Sequence, residues 1–110
     1  MFTRVVETTS KHGKARELCH TIDEKILPIL GKQNGFVDEL VMISDTEPNK
    51  VIAISFWKTK EDAQRYEREQ FDNVKKTLQN TFENAPSVRT FDIHTSTVHR
   101  VTAEKEEQAA

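Results

Sequence analysis

Apolar and polar residues alternate along the chain with two different periods, and each change of period marks a new element. Residues 2–9 carry the first apolar alternation and are rich in β-branched side chains, which predicts a first strand. From Lys14 onward the apolar residues recur every three or four positions, as in an amphipathic helix: Ala15, Leu18, Cys19, Ile22 and Ile26. Because Pro28 lacks a backbone donor, we expect this helix to kink or end near Leu27.

A hairpin is predicted next. Residues 36–44 and 51–57 form its strands, and the Asp, Pro and Asn residues between positions 45 and 50 favour a turn. The second of these strands is apolar on both faces, with Val51, Ala53 and Trp57 on one side and Ile52, Ile54 and Phe56 on the other. A strand of this kind needs cover on both faces, so we expect helices over one face and a second copy of the chain over the other.

A second helix and a last strand complete the pattern. Thr59 and Asp62 form a capping-box signature, and the helix behind them directs Ala63, Tyr66, Val74, Leu78 and Phe82 toward the core. We expect a break at residues 70–72 and an end at residues 84–86, where Pro86 disfavours helical geometry in the residue before it. The pattern of residues 88–98 predicts the final strand. The order β-α-β-β-α-β predicts an α+β, ferredoxin-like domain with an antiparallel sheet over residues 1–98, followed by a charged C-terminal tail over residues 99–110.

Composition narrows the possible functions. The 110 residues fit one domain, and a net charge of −2 provides no basic field for nucleic acid, so no nucleic-acid partner is expected. No segment is apolar enough for a membrane span and the N-terminus lacks a signal-peptide core, which leads us to expect a cytoplasmic protein with no membrane partner. A single cysteine excludes an internal disulfide. The four histidines offer no locally spaced chelating pair, so no metal site is predicted.

The strand-to-helix junction also resembles a known family. Residues 51–66 (VIAISFWKTKEDAQRY) end a strand in Trp57 and begin a helix through a short threonine cap, while Gly35 and Phe36 open the preceding strand. In the order and spacing of these features, residues 2–98 resemble the antibiotic biosynthesis monooxygenase (ABM) family of dimeric α/β-barrel proteins. The resemblance implies a homodimer whose two sheets pack face to face, with a pocket between sheet and helices in each subunit.

The resemblance also implies a chemistry and a set of site residues. It implies oxidation of small aromatic or quinol-like molecules by oxygen, usually with neither metal nor flavin, so we expect no cofactor. Tyr66 corresponds to a helical position that commonly touches substrate in relatives. Trp57 is expected to wall the pocket, and Phe36 and Phe71 to add apolar surface. His94 is the best histidine for acid–base work, although strand alternation puts it on one face with Thr90 and Asp92, which is typical of a side that faces a partner subunit or solvent.

Three functions remain open at this point. The leading hypothesis is a cofactor-independent monooxygenase for a small phenolic or quinol-type substrate, in which the substrate anion itself reduces O₂. The alternatives are an isomerase of a small oxygenated metabolite and a non-catalytic ligand-binding dimer. Haem degradation is disfavoured because residues 71–76 contain no histidine where haem-degrading relatives place their iron ligand. A second ionisable group within hydrogen-bonding reach of Tyr66 would favour the enzymes, whereas a pocket closed by aromatic rings would favour simple binding.

Overall fold

A four-stranded antiparallel sheet forms the base of the molecule. The computed structural model describes residues 1–101. Its strands are β1 (Phe2–Thr9), β2 (Phe36–Ile43), β3 (Lys50–Trp57) and β4 (Ser87–Asp92), in the spatial order β2-β3-β1-β4. The two helical regions fall between β1 and β2 and between β3 and β4, so the ferredoxin-like α+β prediction is confirmed.

The core lies between one face of the sheet and the helices. β1 and β3 occupy the centre of the sheet, and the deepest side chains of the core are Leu18, Val51 and Trp57. Val51, Ser55 and Trp57 are buried toward the helices, as the alternation along β3 predicts, while Ile52, Ile54 and Phe56 are half-buried on the opposite face. None of the helices within residues 1–101 combines the length and apolar composition that a membrane span requires.

The first helical region continues past Pro28. It consists of α1 (Ala15–Thr21), a π-helical turn (Ile22–Ile26) and α2 (Leu27–Gly31). Of the kink or end expected near Leu27, the end is therefore wrong, while the type of helix does change at this point. Pro28 lies in the first turn of α2, where a missing N–H is tolerated. The wider π turn precedes the proline and lets the helical path continue while Ile22 and Ile26 both remain buried.

The second helix, α3 (Lys60–Leu78), is uninterrupted. Thr59 caps it as predicted, and its side chain accepts a hydrogen bond of 3.1 Å from the backbone N–H of Asp62. The predicted break at residues 70–72 is wrong, because Phe71 lies on the buried stripe of the helix and no Pro or Gly intervenes. The predicted end at residues 84–86 is also wrong. The chain passes into a 3₁₀ turn (Gln79–Thr81), where the Thr81 hydroxyl donates to the Leu78 carbonyl at 2.7 Å.

The last strand is shorter than the predicted 88–98. β4 ends at Asp92 because its neighbour β1 begins at Phe2. Beyond that pair, the Ile93 N–H donates to the Met1 carbonyl at 2.9 Å. The following segment turns back, so that the His99 ring packs on Phe56 with centroids 4.8 Å apart. Of the tail predicted over residues 99–110, residues 102–110 lie outside the described part of the chain.

The face of the sheet opposite the helices remains largely apolar and exposed. Leu40 and Met42 on β2 are 46% and 44% exposed, and Phe91 on β4 is 48% exposed. Cross-strand register places Leu40 beside Ile54 and Met42 beside Ile52, which makes one continuous apolar surface. We call this surface the outer face.

The junction between β2 and α3 depends on Gly35. Its φ of +81° lies in the left-handed region that favours glycine, and a Cβ at this position would lie 2.0 Å from Asp62 Oδ2. Its carbonyl accepts a 2.8 Å hydrogen bond from the Lys58 N–H. Gly35 therefore lets the start of β2 lie directly against the first turn of α3.

Candidate functional site

Three polar side chains lie side by side across the apolar inner face of the sheet. Cross-strand pairing aligns Glu39 of β2 with Ser55 of β3, and Ser55 with Arg4 of β1. All three line a cavity between the sheet and the helices. A polar row in this location is unusual because polar groups are costly to bury without partners.

Arg4 is the most deeply buried charged residue of this row. Only 2% of its surface is exposed, and its guanidinium carbon lies 4.4 Å from the Phe71 ring centroid and 5.1 Å from that of Tyr66. Both rings therefore offer cation–π stabilisation to the guanidinium. Burial lowers the pKa of Arg4. Because the ordinary pKa of arginine lies far above neutral pH, the guanidinium still keeps its charge.

The guanidinium is only partly satisfied. Among the residues that the structure describes, Arg4 Nε and Nη2 have no hydrogen-bond partner. The Glu67 carboxylate lies nearby, with Oε1 at 3.9 Å from Nη2 and half of its side chain in solvent. That distance permits electrostatic attraction but exceeds the length of a hydrogen bond. Two buried N–H donors therefore remain available at the cavity.

Tyr66 lies on α3 above this row. Burial raises the pKa of its hydroxyl to about 12, against the opposing influence of the nearby positive charge of Arg4. Tyr66 therefore stays protonated at neutral pH. A protonated phenol has one O–H to donate, and because Tyr66 lines the cavity this proton can be offered to a ligand there.

Glu39 contributes an acid–base group. Burial raises the pKa of its carboxyl to about 8, although Arg4 acts in the opposite direction. A carboxyl group with this pKa is mostly neutral at pH 7 and changes state close to physiological pH. This is the behaviour that general bases and acids require.

The cavity has a volume of about 50 Å³, and apart from the polar row, Tyr66, Thr8 and Lys75 its lining is apolar. Its helical walls are formed by Leu18, Ile22, Ile26, Leu30, Val74 and Leu78. Lys75, Phe82 and Pro86 line one end of it and also line an adjoining open groove of about 470 Å³. Because 50 Å³ holds only a few water molecules, an aromatic ring can be accommodated only if side chains at this end move.

Four of the five site residues expected from the sequence form a chain of aromatic contacts. Tyr66 and Phe71 line the cavity, with ring centroids 6.3 Å apart. Trp57 stacks on Tyr66 at 5.2 Å, and Phe36 meets Trp57 edge-on at 5.7 Å. Trp57 and Phe36 thus support Tyr66 from behind and do not line the cavity. Trp57 is held in turn by the Ser55 hydroxyl, which accepts from its Nε1 at 2.9 Å.

His94 lies elsewhere. It is exposed, beyond the end of β4, and it is absent from the cavity walls. Within residues 1–101, no group of three or more His, Cys, Asp or Glu side chains is placed to hold a metal ion.

Arg4, Ser55 and Glu39 were missing from the predicted site. A signal existed for Arg4, because it alternates in phase with Phe2 and Val6 and so belongs to the inner face of β1. Ser55 likewise shares the phase of Val51 and Trp57. Glu39 is different, because a bulge between Phe36 and Asp38 shifts the alternation of β2 by one residue.

Comparison with known proteins shows which solved structures share this fold. No protein-family model matches the sequence, and no curated protein matches it either. Among solved structures, a candidate antibiotic biosynthesis monooxygenase from Bordetella bronchiseptica aligns with a TM-score of 0.75 at 13% identity, covering 84% of this chain and 95% of its own. SnoaB, a cofactor-independent oxygenase from Streptomyces nogalater, aligns with a TM-score of 0.72 at 18% identity, covering 87% and 95%.

A third structure carries a ligand. The ActVA-Orf6 monooxygenase of Streptomyces coelicolor, in complex with Nanaomycin D, aligns with a TM-score of 0.74 at 11% identity and covers 86% of this chain and 88% of its own. Identities this low show a shared fold. The resemblance noted in the sequence is therefore confirmed as an ABM-like architecture.

Proposed function

We propose that the protein is a cofactor-independent monooxygenase that oxidises a small phenolic or quinol-type substrate. One observation carries the proposal: Arg4, Tyr66 and Glu39 converge on the cavity as a cation, a proton donor and a group that ionises near neutral pH. Two structural neighbours, SnoaB and the ActVA-Orf6 protein, are oxygenases by description, which supports this reaction class.

The roles follow from the charges of the three groups. In its ionised form Glu39 accepts the proton of a substrate hydroxyl, and Arg4 and the Tyr66 proton stabilise the resulting anion. The anion supplies all the electrons that O₂ receives. One oxygen atom bonds to a ring C–H carbon, that carbon then loses its hydrogen, and the second oxygen leaves as water. A phenol and O₂ thus give a quinone and water, with no external reductant.

The same polar row also supports the alternative of an isomerase. Glu39 could remove a proton and Tyr66 could return one, which moves a double bond without oxygen. Product formation at equal rates with and without O₂ would identify this reaction. The presence of ionisable partners beside Tyr66 favours either enzyme over a non-catalytic binding module.

Tyr66→Phe tests the proposal. We expect this variant to lose roughly 10²-fold in kcat, because it removes a proton donor that acts on developing negative charge. Stability should change by only about 1 kcal/mol, the net worth of one hydrogen bond. The measurement is oxygen uptake across a panel of quinols and polyphenols, paired with thermal unfolding of both proteins.

Two outcomes would contradict this role. A melting temperature that falls while turnover survives would reduce Tyr66 to a packing residue. Absence of oxygen uptake by the wild type across the whole panel would refute the monooxygenase itself.

We further propose that the protein forms a homodimer through the outer face and that it acts in the cytoplasm. The exposed apolar side chains of the outer face are partners for a like surface, and two sheets that pack face to face would bury them. A dimer would also cover the second apolar side of β3, because this strand has no polar side to present to water.

Leu40→Asp tests the dimer. Leu40 is 46% exposed in one chain, so a carboxylate there should leave the monomer folded but oppose burial against a second sheet. We expect sedimentation velocity to show a dimer for the wild type at micromolar concentration and a monomer for the variant. Leu27→Asp is the matched control, since Leu27 is 41% exposed on α2, away from the outer face. A wild type that sediments as a monomer would overturn the proposed dimer.

A further inference from the structure

The unpaired edge of Arg4 defines which ligand the cavity would take. Nε and Nη2 belong to the same side of the planar guanidinium, and these are the two atoms that lack partners among the described residues. This edge presents two parallel N–H donors, the arrangement that a carboxylate accepts through both of its oxygens. A single neutral hydroxyl would satisfy one donor and leave the other buried without a partner.

The surroundings of Arg4 leave its charge available. The Glu67 carboxylate stays at 3.9 Å and faces solvent. Glu39, the other carboxyl group of the site, is mostly neutral at pH 7 because burial raises its pKa to about 8. An anion entering the cavity would therefore meet a buried cation that no carboxylate within residues 1–101 neutralises through a hydrogen bond.

The walls around Arg4 specify the remainder of the ligand. Phe71 and Tyr66 lie over the guanidinium, and most of the remaining lining is apolar, with Thr8, Lys75 and the polar row as the exceptions. Once side chains at the end near the groove move, a flat hydrocarbon ring therefore suits the cavity better than a sugar or a phosphate. Lys75 lies at the end that adjoins the open groove, with Nζ 5.2 Å from the Phe71 ring centroid. Its Nζ also lies 3.3 Å from Asp72 Oδ1, so this charge is already paired and Arg4 is the cation that an anion would meet.

We propose that the ligand of this cavity is an aromatic acid whose carboxylate binds Arg4 side-on through Nε and Nη2. This inference rests on the proposed function in that it names the substrate class of the same cavity: a ring that carries both a carboxylate and the hydroxyl to be oxidised. Arg4 then anchors the ring through the carboxylate, its positive charge still stabilises the anion formed at the hydroxyl, and Tyr66 and Glu39 act on that hydroxyl directly.

The test compares two probes of nearly equal shape, 2,5-dihydroxybenzoate and its neutral amide. By isothermal titration at pH 7, the wild type should bind the carboxylate at least roughly tenfold more tightly than the amide, a difference of about 1.4 kcal/mol. Arg4→Lys keeps the charge but removes the pair of parallel N–H donors, and we expect this variant to lose most of the preference for the carboxylate over the amide. Arg68→Lys, at an exposed arginine of α3, should keep it.

The outcomes separate this inference from the proposed function. Equal affinity for both probes, or no binding of either at about 10 mM, would overturn the inference whatever the oxygen electrode shows. Oxygen uptake with neutral quinols alone would leave the monooxygenase standing without a carboxylate requirement. Tight carboxylate binding without oxygen uptake would retain the ligand class and refute the monooxygenase. If Arg4→Lys fails to fold, the wild-type comparison still decides.

Discussion

Gly35→Ala should destabilise the protein by about 3 kcal/mol or more, a large share of the stability of a small domain. Two effects add. An alanine at φ +81° adopts a left-handed conformation that costs about 1–2 kcal/mol, and its Cβ would overlap the Asp62 carboxylate. Asp62 cannot move freely, because its Oδ1 accepts a 3.0 Å hydrogen bond from Arg65. Urea unfolding followed by circular dichroism measures the loss.

Gly13 supplies a matched control. Its φ is +75°, but a Cβ there would meet no atom within 4 Å, so Gly13→Ala isolates the backbone strain. We expect it to cost about 1 kcal/mol. In the double variant Gly35→Ala with Asp62→Ala, stability should recover only in part, because the carboxylate overlap is removed while the Cβ at position 62, which alanine retains, still lies too close. Equal losses for the two glycine variants would show that the close approach of Gly35 to α3 is unimportant.

Glu39→Gln should remove most of the pH dependence of stability between about pH 5 and pH 8. The folded-state pKa of Glu39 is raised to about 8, above its ordinary value, so the folded protein binds a proton that the unfolded chain releases. Wild-type stability must then fall as pH rises through this window, by at most about 1.4 kcal/mol per pH unit, and level off above the folded-state pKa. A neutral glutamine has no such proton to lose.

Chemical unfolding at several pH values between 5 and 9 measures this slope. Glu69→Gln, at an exposed position on α3, is the control and should retain the wild-type slope. If Glu39→Gln also retains it, the Glu39 carboxyl is not held neutral by burial, and its role as a base near neutral pH loses its support. Under the proposed mechanism the same variant should lack turnover at every pH.

The sequence predicts those features of the fold that depend on local spacing. The order of elements, the threonine cap of α3 and the two faces of β3 all follow from periodicity over a few residues. Features that depend on partners distant in the chain escaped prediction. β4 ends at Asp92 because β1 supplies no further partner, and this is why His94 falls outside the sheet.

The candidate site shows the same division. Tyr66 and Phe71 follow from helical spacing on α3, and both line the cavity. Arg4 could have been assigned to the inner face by its phase in β1, but an apolar cavity is an unexpected place for a guanidinium. Glu39 could not have been found by alternation, because the bulge at the start of β2 moves it to the face opposite from the one that its spacing from Phe36 indicates.

The aromatic chain behind the cavity has an optical consequence. Trp57 is the sole tryptophan of the sequence; it is fully buried, and it stacks on Tyr66, whose ring lines the cavity. Its fluorescence therefore reports from a single, defined position, one ring away from any bound ligand. Occupancy of the cavity can thus be followed in the unlabelled, unmodified protein through the emission of one indole.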